Sequence, residues 1–136
     1  MNDKELINFA IEAMQNSYAP YSSFNVGAAL LTKNGKLYTG CNIENAAFTP
    51  SICAERVAFS KAVSEGERKF SKIAIVGGKN SKIIDYAYPC GVCRQVMAEF
   101  CDKDFIVIVA KSENEYLCKN IDEILPCMFT SQDIDI

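Results

Sequence analysis

The sequence predicts an α/β fold, a three-layer α/β/α sandwich around a mixed five-stranded sheet, and three observations predict it. Asn34-Gly35 sits between two strand-like runs, a strong signal for a two-residue hairpin and so for an antiparallel pair. Further along, helix-periodic segments alternate with short continuous apolar runs, the pattern of strands joined by right-handed crossovers with helices on both faces of the sheet. The 136 residues contain no repeat, low-complexity stretch or linker, so they read as one domain, 1–136, long enough to bury a core without cross-links.

Each element has its own warrant. Within 3–18, Leu6, Ile7, Ala10, Ile11, Met14 and Tyr18 recur at helical spacing behind Asn2, a residue suited to cap a helix, with Glu5 three positions on. Tyr18-Ala19-Pro20-Tyr21 ends that helix, because the residue before a proline is pushed out of the α region. Residues 25–32 and 36–44 form the hairpin strands. Thr49-Pro50-Ser51 offers a cap and a first-turn proline for a helix over 52–65, which Gly66 stops. The run 72–76 suits a strand covered on both faces and should break at Gly77-Gly78. Pro89 opens a third helix carrying Val92, Val96, Met97 and Phe100, and 105–109 repeats the buried-strand pattern. A short strand over 115–118, a brief helix over 121–125 and a polar tail complete the order.

Composition narrows the function. Apolar residues make up 49% of the chain and charged ones 23%, an ordinary soluble balance. A net charge of −3 without any run of Lys or Arg offers no field for a polyanion, so nucleic acid is not expected as a partner. The first residues lack the basic and apolar blocks of an export signal, and no apolar run approaches the roughly 18 residues of a membrane helix. A cytoplasmic protein with no membrane partner is therefore expected. Seven cysteines in such a chain favour metal or thiol chemistry over a disulfide framework. There is no histidine, so a zinc site must be built from Cys, Asp or Glu, and a general acid or base must be something other than imidazole.

Two stretches carry that chemistry. Cys90 and Cys93, three apart at the start of a helix, present both sulfurs on one side. Alone, the pair also reads as a redox CxxC or as two small core residues. Cys53 and Glu55 extend it. First-turn side chains can converge near the axis beyond a helix's N-terminal end, so two helices aimed at one point would gather three thiolates and a carboxylate, with their dipoles stabilising the negative charge. Three thiolates on a zinc dication sum to −1, which weakens the ion's ability to acidify a water unless something offsets it. Arg56, one turn from Cys53, is the better placed donor to the sulfurs; Arg94, next to Cys93, reads either as a second donor or as a solvated surface residue. Cys41, Cys101, Cys118 and Cys127 lie at no ligand spacing and read as small buried hydrophobes. One of them as a fourth ligand would close the site structurally, but a closed site has no use for Glu55.

Cys53-Ala54-Glu55, followed by Pro89-Cys90-Gly91-Val92-Cys93-Arg94-Gln95, resembles the signature of the zinc-dependent nucleoside and nucleobase deaminases. Tyr18-Ala19-Pro20-Tyr21-Ser22, Val26-Gly27-Ala28-Ala29, residues 40–46 and Leu125-Pro126 extend the resemblance over nearly the whole chain to the short homotetrameric cytidine deaminases. The resemblance implies a cytidine deaminase-like fold. It also implies that Cys53, Cys90 and Cys93 hold one Zn2+ per subunit, and that Glu55 shuttles protons as cytidine or deoxycytidine is hydrolysed in pyrimidine salvage. Asn42 and Glu44, two apart on a strand and so on one face, would hold the ribose 3′ hydroxyl. Phe24, Ala54, Phe48 and Phe129 would contact the nucleoside, with Phe48 standing where the family often has tyrosine and so lacking that hydroxyl. A homotetramer is implied as well, with the Phe48 segment and the C-terminal aromatic approaching a neighbouring subunit's site. Two other readings remain at this point: an aminonucleoside-antibiotic deaminase with the same zinc motifs, and a noncatalytic zinc or thiol-redox domain whose CxxC is structural.

Overall fold

In the computed structural model, which describes residues 1–134, Asn34-Gly35 turns the chain between strands β1 (Phe24–Thr32) and β2 (Leu37–Cys41). Gly35 sits at φ 88°, in the left-handed region where a residue without Cβ is at no disadvantage. β1 pairs antiparallel with β2 on one side and with β3 (Phe70–Lys79) on the other. β3 runs parallel to β4 (Ile106–Ser112), and β4 pairs antiparallel with β5 (Glu115–Asn120). The result is the expected mixed five-stranded sheet, in the order β2-β1-β3-β4-β5.

Helix α1 (Asp3–Met14) precedes the hairpin, α2 (Ala54–Ser64) and α3 (Gly91–Phe100) lead into β3 and β4, and α4 (Ile121–Ile124) follows β5. Side-chain alternation along the strands divides the core in two. Leu30, Ile73, Ile75 and Val109 face the layer of Phe59 and Met97, from α2 and α3. Leu31, Ala74, Val76 and Ile108 face Leu6, Ile7, Ala10 and Met14 of α1. Three layers therefore stack as α/β/α. Within the first core, Phe59 meets Phe70 edge-on at 5.1 Å, a contact worth about 1 kcal/mol beyond the area it buries. Among the described residues no helix is long and apolar enough to cross a membrane.

Several boundaries differ from those the sequence suggests. α1 stops at Met14 rather than Tyr18, because Tyr18 donates its N–H to Asn42 O (3.0 Å) and accepts from Glu44 N (2.8 Å), bridging alongside Ile43. β2 correspondingly ends at Cys41. Nor is Thr49-Pro50-Ser51 the cap of the second helix. Phe48 to Ser51 closes a turn (Ser51 N to Phe48 O, 2.8 Å), and Ile52 pairs antiparallel with Ile43 through two 3.0 Å bonds, so the helix starts only at Ala54 with Cys53 as its cap residue. Pro89 likewise lies just outside α3, whose cap residue is Cys90.

β3 does not break at its glycines. Gly77 and Gly78 stay in the sheet opposite Val26 and Asn25. A Cβ on Gly78 would stand 1.9 Å from Lys82 O, so the bare backbone lets the chain after the strand fold back against its end. The polar tail contains a 3-10 turn (Ser131–Ile134); its remaining residues, 135–136, lie outside the described part.

Candidate metal centre and adjoining cavity

α2 comes to rest directly on β2 at Gly40, where a Cβ would stand 2.4 Å from Ala54 O and 2.8 Å from Ala58 N. That close approach sets the position of Cys53, Ala54 and Glu55. Asn2 and Asn120 cap α1 and α4 through their side chains, whereas Cys53 and Cys90 occupy the same position on α2 and α3 with no side-chain cap bond. Their sulfurs are left for another partner, at helix ends whose dipoles favour negative charge.

Those sulfurs converge. Cys53 Sγ lies 3.7 Å from Cys90 Sγ, which lies 3.6 Å from Cys93 Sγ, and all three fall within 4.8 Å of one another. Zinc at its usual ~2.3 Å from each sulfur of a tetrahedral site would hold them about 3.8 Å apart, so the trio fits the ion. Among the described residues no fourth cysteine, aspartate or glutamate joins the group.

Arg56 Nη2 donates to Cys53 Sγ at 3.6 Å, and its Nε is buried without an acceptor. A guanidinium held there with an unmet donor suits a cluster of thiolates. Arg94 behaves differently from both sequence readings. Its Nε donates to Pro89 O (2.7 Å) and its Nη1 to Ile124 O (2.5 Å), bracing the entry of α3 against α4 without reaching the sulfurs. The hydrogen bond from Cys93, helped by Arg56, brings the Cys53 thiol down to about 5 against the opposing effect of burial. Cys93 shifts the other way, through its bond to Cys53 and through burial. Metal binding takes the thiolate form, so a bound dication would displace the proton that Cys93 retains.

Glu55 is only 4% exposed. Burial pushes its carboxyl up to about 7, the Cys53 charge adds to the rise, and its own backbone N–H opposes it. It lies against a cavity of 580 Å³ whose lining also includes Cys53, Ala54, Cys90, Phe24, Asn42 and Glu44. Asn42 and Glu44 lie just past β2, and protein groups already hold both. Val26 N–H and the Ser17 hydroxyl donate to Asn42 Oδ1, while Asn42 Nδ2 donates to Phe24 O. Tyr21 N–H, Ser22 N–H and the Ser22 hydroxyl donate to the Glu44 carboxylate. These last contacts hold that carboxyl below its usual range, the Ser22 hydroxyl most strongly.

Phe48 and Phe129 stand apart from this cavity. Phe48, 70% exposed and at φ 62°, borders a smaller adjoining space of 360 Å³ with Tyr21, which it meets edge-on. Phe129 is 58% exposed, its backbone oxygen held by Gln95 Nε2 at 2.8 Å. Cys118 and Cys127 are exposed rather than buried, a correction to their reading as small core residues, while Cys41 and Cys101 are half-buried. Sequence reasoning missed Ser22, Ser51, Tyr86, Ala87 and Tyr88 in the cavity wall. For the last three the signal was Gly77-Gly78: a Cβ on Gly77 would meet the Cβ of Ala87 at 2.9 Å, and that seat turns 86–88 into the cavity.

Comparison with known proteins adds to this geometry. Residues 1–109 match the family described as the cytidine and deoxycytidylate deaminase zinc-binding region. The chain is similar to the cytidine deaminase of Halalkalibacterium halodurans, 43% identical over 135 residues that cover 99% of each protein. It is also 30% identical to the blasticidin-S deaminase of Bacillus cereus over 132 residues, 94% of this chain and 92% of that relative. In three dimensions it resembles the crystal structure of a cytidine deaminase from Burkholderia pseudomallei, with TM-score 0.87, 39% identity, and coverage of 95% of this chain and 100% of that one.

Proposed function

The chain belongs to the cytidine and deoxycytidylate deaminase family, and from that membership and the site geometry we propose that it hydrolyses cytidine and deoxycytidine to uridine and deoxyuridine with release of ammonia. The observation that carries this reading is the placement of a buried carboxyl, Glu55, beside three converging cysteine sulfurs and in one cavity with Asn42 and Glu44.

In this reading Cys53, Cys90 and Cys93 hold the zinc, with Arg56 offsetting part of the thiolate charge. Bound zinc supplies a Lewis acid that makes water nucleophilic near neutral pH. The Glu55 carboxylate takes a proton from the attacking water, passes it to ring N3 as C4 becomes tetrahedral, and carries the hydroxyl proton to the departing amine. Burial keeps its protonated form accessible between transfers, as a shuttle working near neutral pH requires. Phe24 and Ala54 border the base, and Asn42 with Glu44 receives the ribose 3′ hydroxyl. The working form in this reading is a homotetramer with sites near its interfaces, as the family resemblance implies; the exposure of Phe48 and Phe129 supports it by leaving both rings free to meet a neighbouring subunit. The place of action is the cytoplasm, in pyrimidine salvage.

Metal-replete protein mixed with cytidine should show the loss of ultraviolet absorbance of cytidine deamination, with equimolar ammonia. Absence of turnover on cytidine and deoxycytidine, or turnover of blasticidin S alone, would overturn the reading.

A further inference from the structure

The Asn42 amide has little hydrogen-bonding capacity left for a ligand. Val26 N–H donates to its Oδ1 at 2.9 Å, and the Ser17 hydroxyl donates to the same oxygen. Asn42 Nδ2 donates to Phe24 O at 2.7 Å. Both acceptor positions of the carbonyl are therefore filled and one of the two N–H groups remains. Glu44 is the complement. Its Oε1 accepts from Tyr21 N–H (2.9 Å) and Ser22 N–H (3.1 Å), its Oε2 accepts from the Ser22 hydroxyl, and what remains is acceptor capacity only. A group bonded by both must accept from Asn42 and donate to Glu44, which a hydroxyl does.

Ser17 is what completes the Asn42 half. Asn25 Nδ2 donates to Ser17 Oγ at 3.1 Å, so the serine proton is directed to Asn42. The chain of donors runs Asn25 to Ser17 to Asn42, and each bond accepted by an amide oxygen makes the same amide's N–H a better donor. We propose that Ser17 is a positioning residue for substrate binding: its hydroxyl, oriented by Asn25, fills the second acceptor site of Asn42 and polarises the amide toward the ribose hydroxyl. This rests on the reading of Asn42 and Glu44 as the ribose-binding pair. Without the serine hydroxyl, Asn42 Oδ1 keeps a free acceptor and its N–H loses part of its donor strength, so the penalty falls on binding of that one hydroxyl.

Steady-state kinetics of wild type, Ser17→Ala and Ser17→Thr on cytidine and on 3′-deoxycytidine test this, with the second compound measured as a competitive inhibitor where it turns over too slowly. Ser17→Ala should raise the KM for cytidine measurably and by no more than about tenfold, since complete loss of one hydrogen bond sets the upper limit, with kcat within about twofold. The same variant should treat 3′-deoxycytidine as wild type does, and Ser17→Thr should restore the cytidine KM. An unchanged cytidine KM in Ser17→Ala, an equal loss on both compounds, or no rescue by threonine overturns the proposal. A wild type that deaminates no cytidine overturns instead the functional reading beneath it.

Discussion

Gly40 lies beneath the first turn of α2 so closely that a Cβ there would stand 2.4 Å from the carbonyl oxygen of Ala54. The two nearest atoms, Ala54 O and Ala58 N, are both backbone, so neither a rotamer change nor a local shift of one side chain relieves the contact. Gly40→Ala must lift the turn that carries Cys53 and Glu55, at a cost of about 1–3 kcal/mol for overpacking. The variant should melt roughly 5 °C or more below wild type and retain less than one zinc per chain, read by calorimetry and metal analysis. Full zinc and an unchanged melting temperature would show that α2 does not take its position from this contact.

Glu55 and the cysteine trio separate in a second experiment. Glu55→Gln keeps the size of the side chain and leaves all three cysteines in place, but an amide neither takes up nor gives away a proton near neutral pH. Turnover of cytidine should fall about 10²–10⁴-fold while zinc content stays that of wild type. If more than a tenth of the activity survives, the proton shuttle lies elsewhere.

Arg56 offers a test of how the thiolate charge is offset. Its Nη2 reaches Cys53 Sγ at 3.6 Å, and its own basicity rises first through that hydrogen bond. Replacing it by glutamine removes the positive charge from beside the sulfurs, which should weaken zinc binding about 10–100-fold in competition against a chromogenic chelator. Arg94→Gln should not do the same, because that side chain is engaged with Pro89 O and Ile124 O.

The contrast between the two arginines also shows what a sequence reveals. Both directly follow a metal motif, and only the fold distinguishes one that points to sulfur from one that ties α3 to α4. The sheet was legible because its strands obey local rules: Asn34-Gly35 announces the hairpin, and the apolar runs around Ile73-Ala74-Ile75 and Val107-Ile108-Val109 suit strands covered on both faces. The cysteines were legible because three-residue spacing on a helix is itself a geometric statement. Long-range backbone pairing was not. Ile43 pairs with both Tyr18 and Ile52, which shortens α1 and delays α2, and no local propensity encodes either bond. Gly77-Gly78 misled for the same reason: the glycines serve the approach of Lys82 and Ala87 across the sheet end rather than a break in the strand. Ser17 lies in the stretch that ends α1, and nothing in its sequence neighbours points to Asn42, 25 positions away.

Phe129 supplies the test of assembly. It is well exposed in the single chain and absent from the cavity wall, yet Gln95 Nε2 holds its backbone oxygen, so the ring is presented outward from a fixed point. If that ring serves a neighbouring subunit's site, Phe129→Ala should raise the KM for cytidine several-fold while its own Glu55 remains competent. Mixing this variant with Glu55→Gln protein under conditions of subunit exchange then decides where the ring acts. In a hybrid, a site with intact Glu55 would receive Phe129 from its Glu55→Gln neighbour, and activity at low cytidine should rise above the sum of the two separate proteins. Were Phe129 to act on its own chain's site, every hybrid site would still lack one of the two residues, and mixing would add nothing.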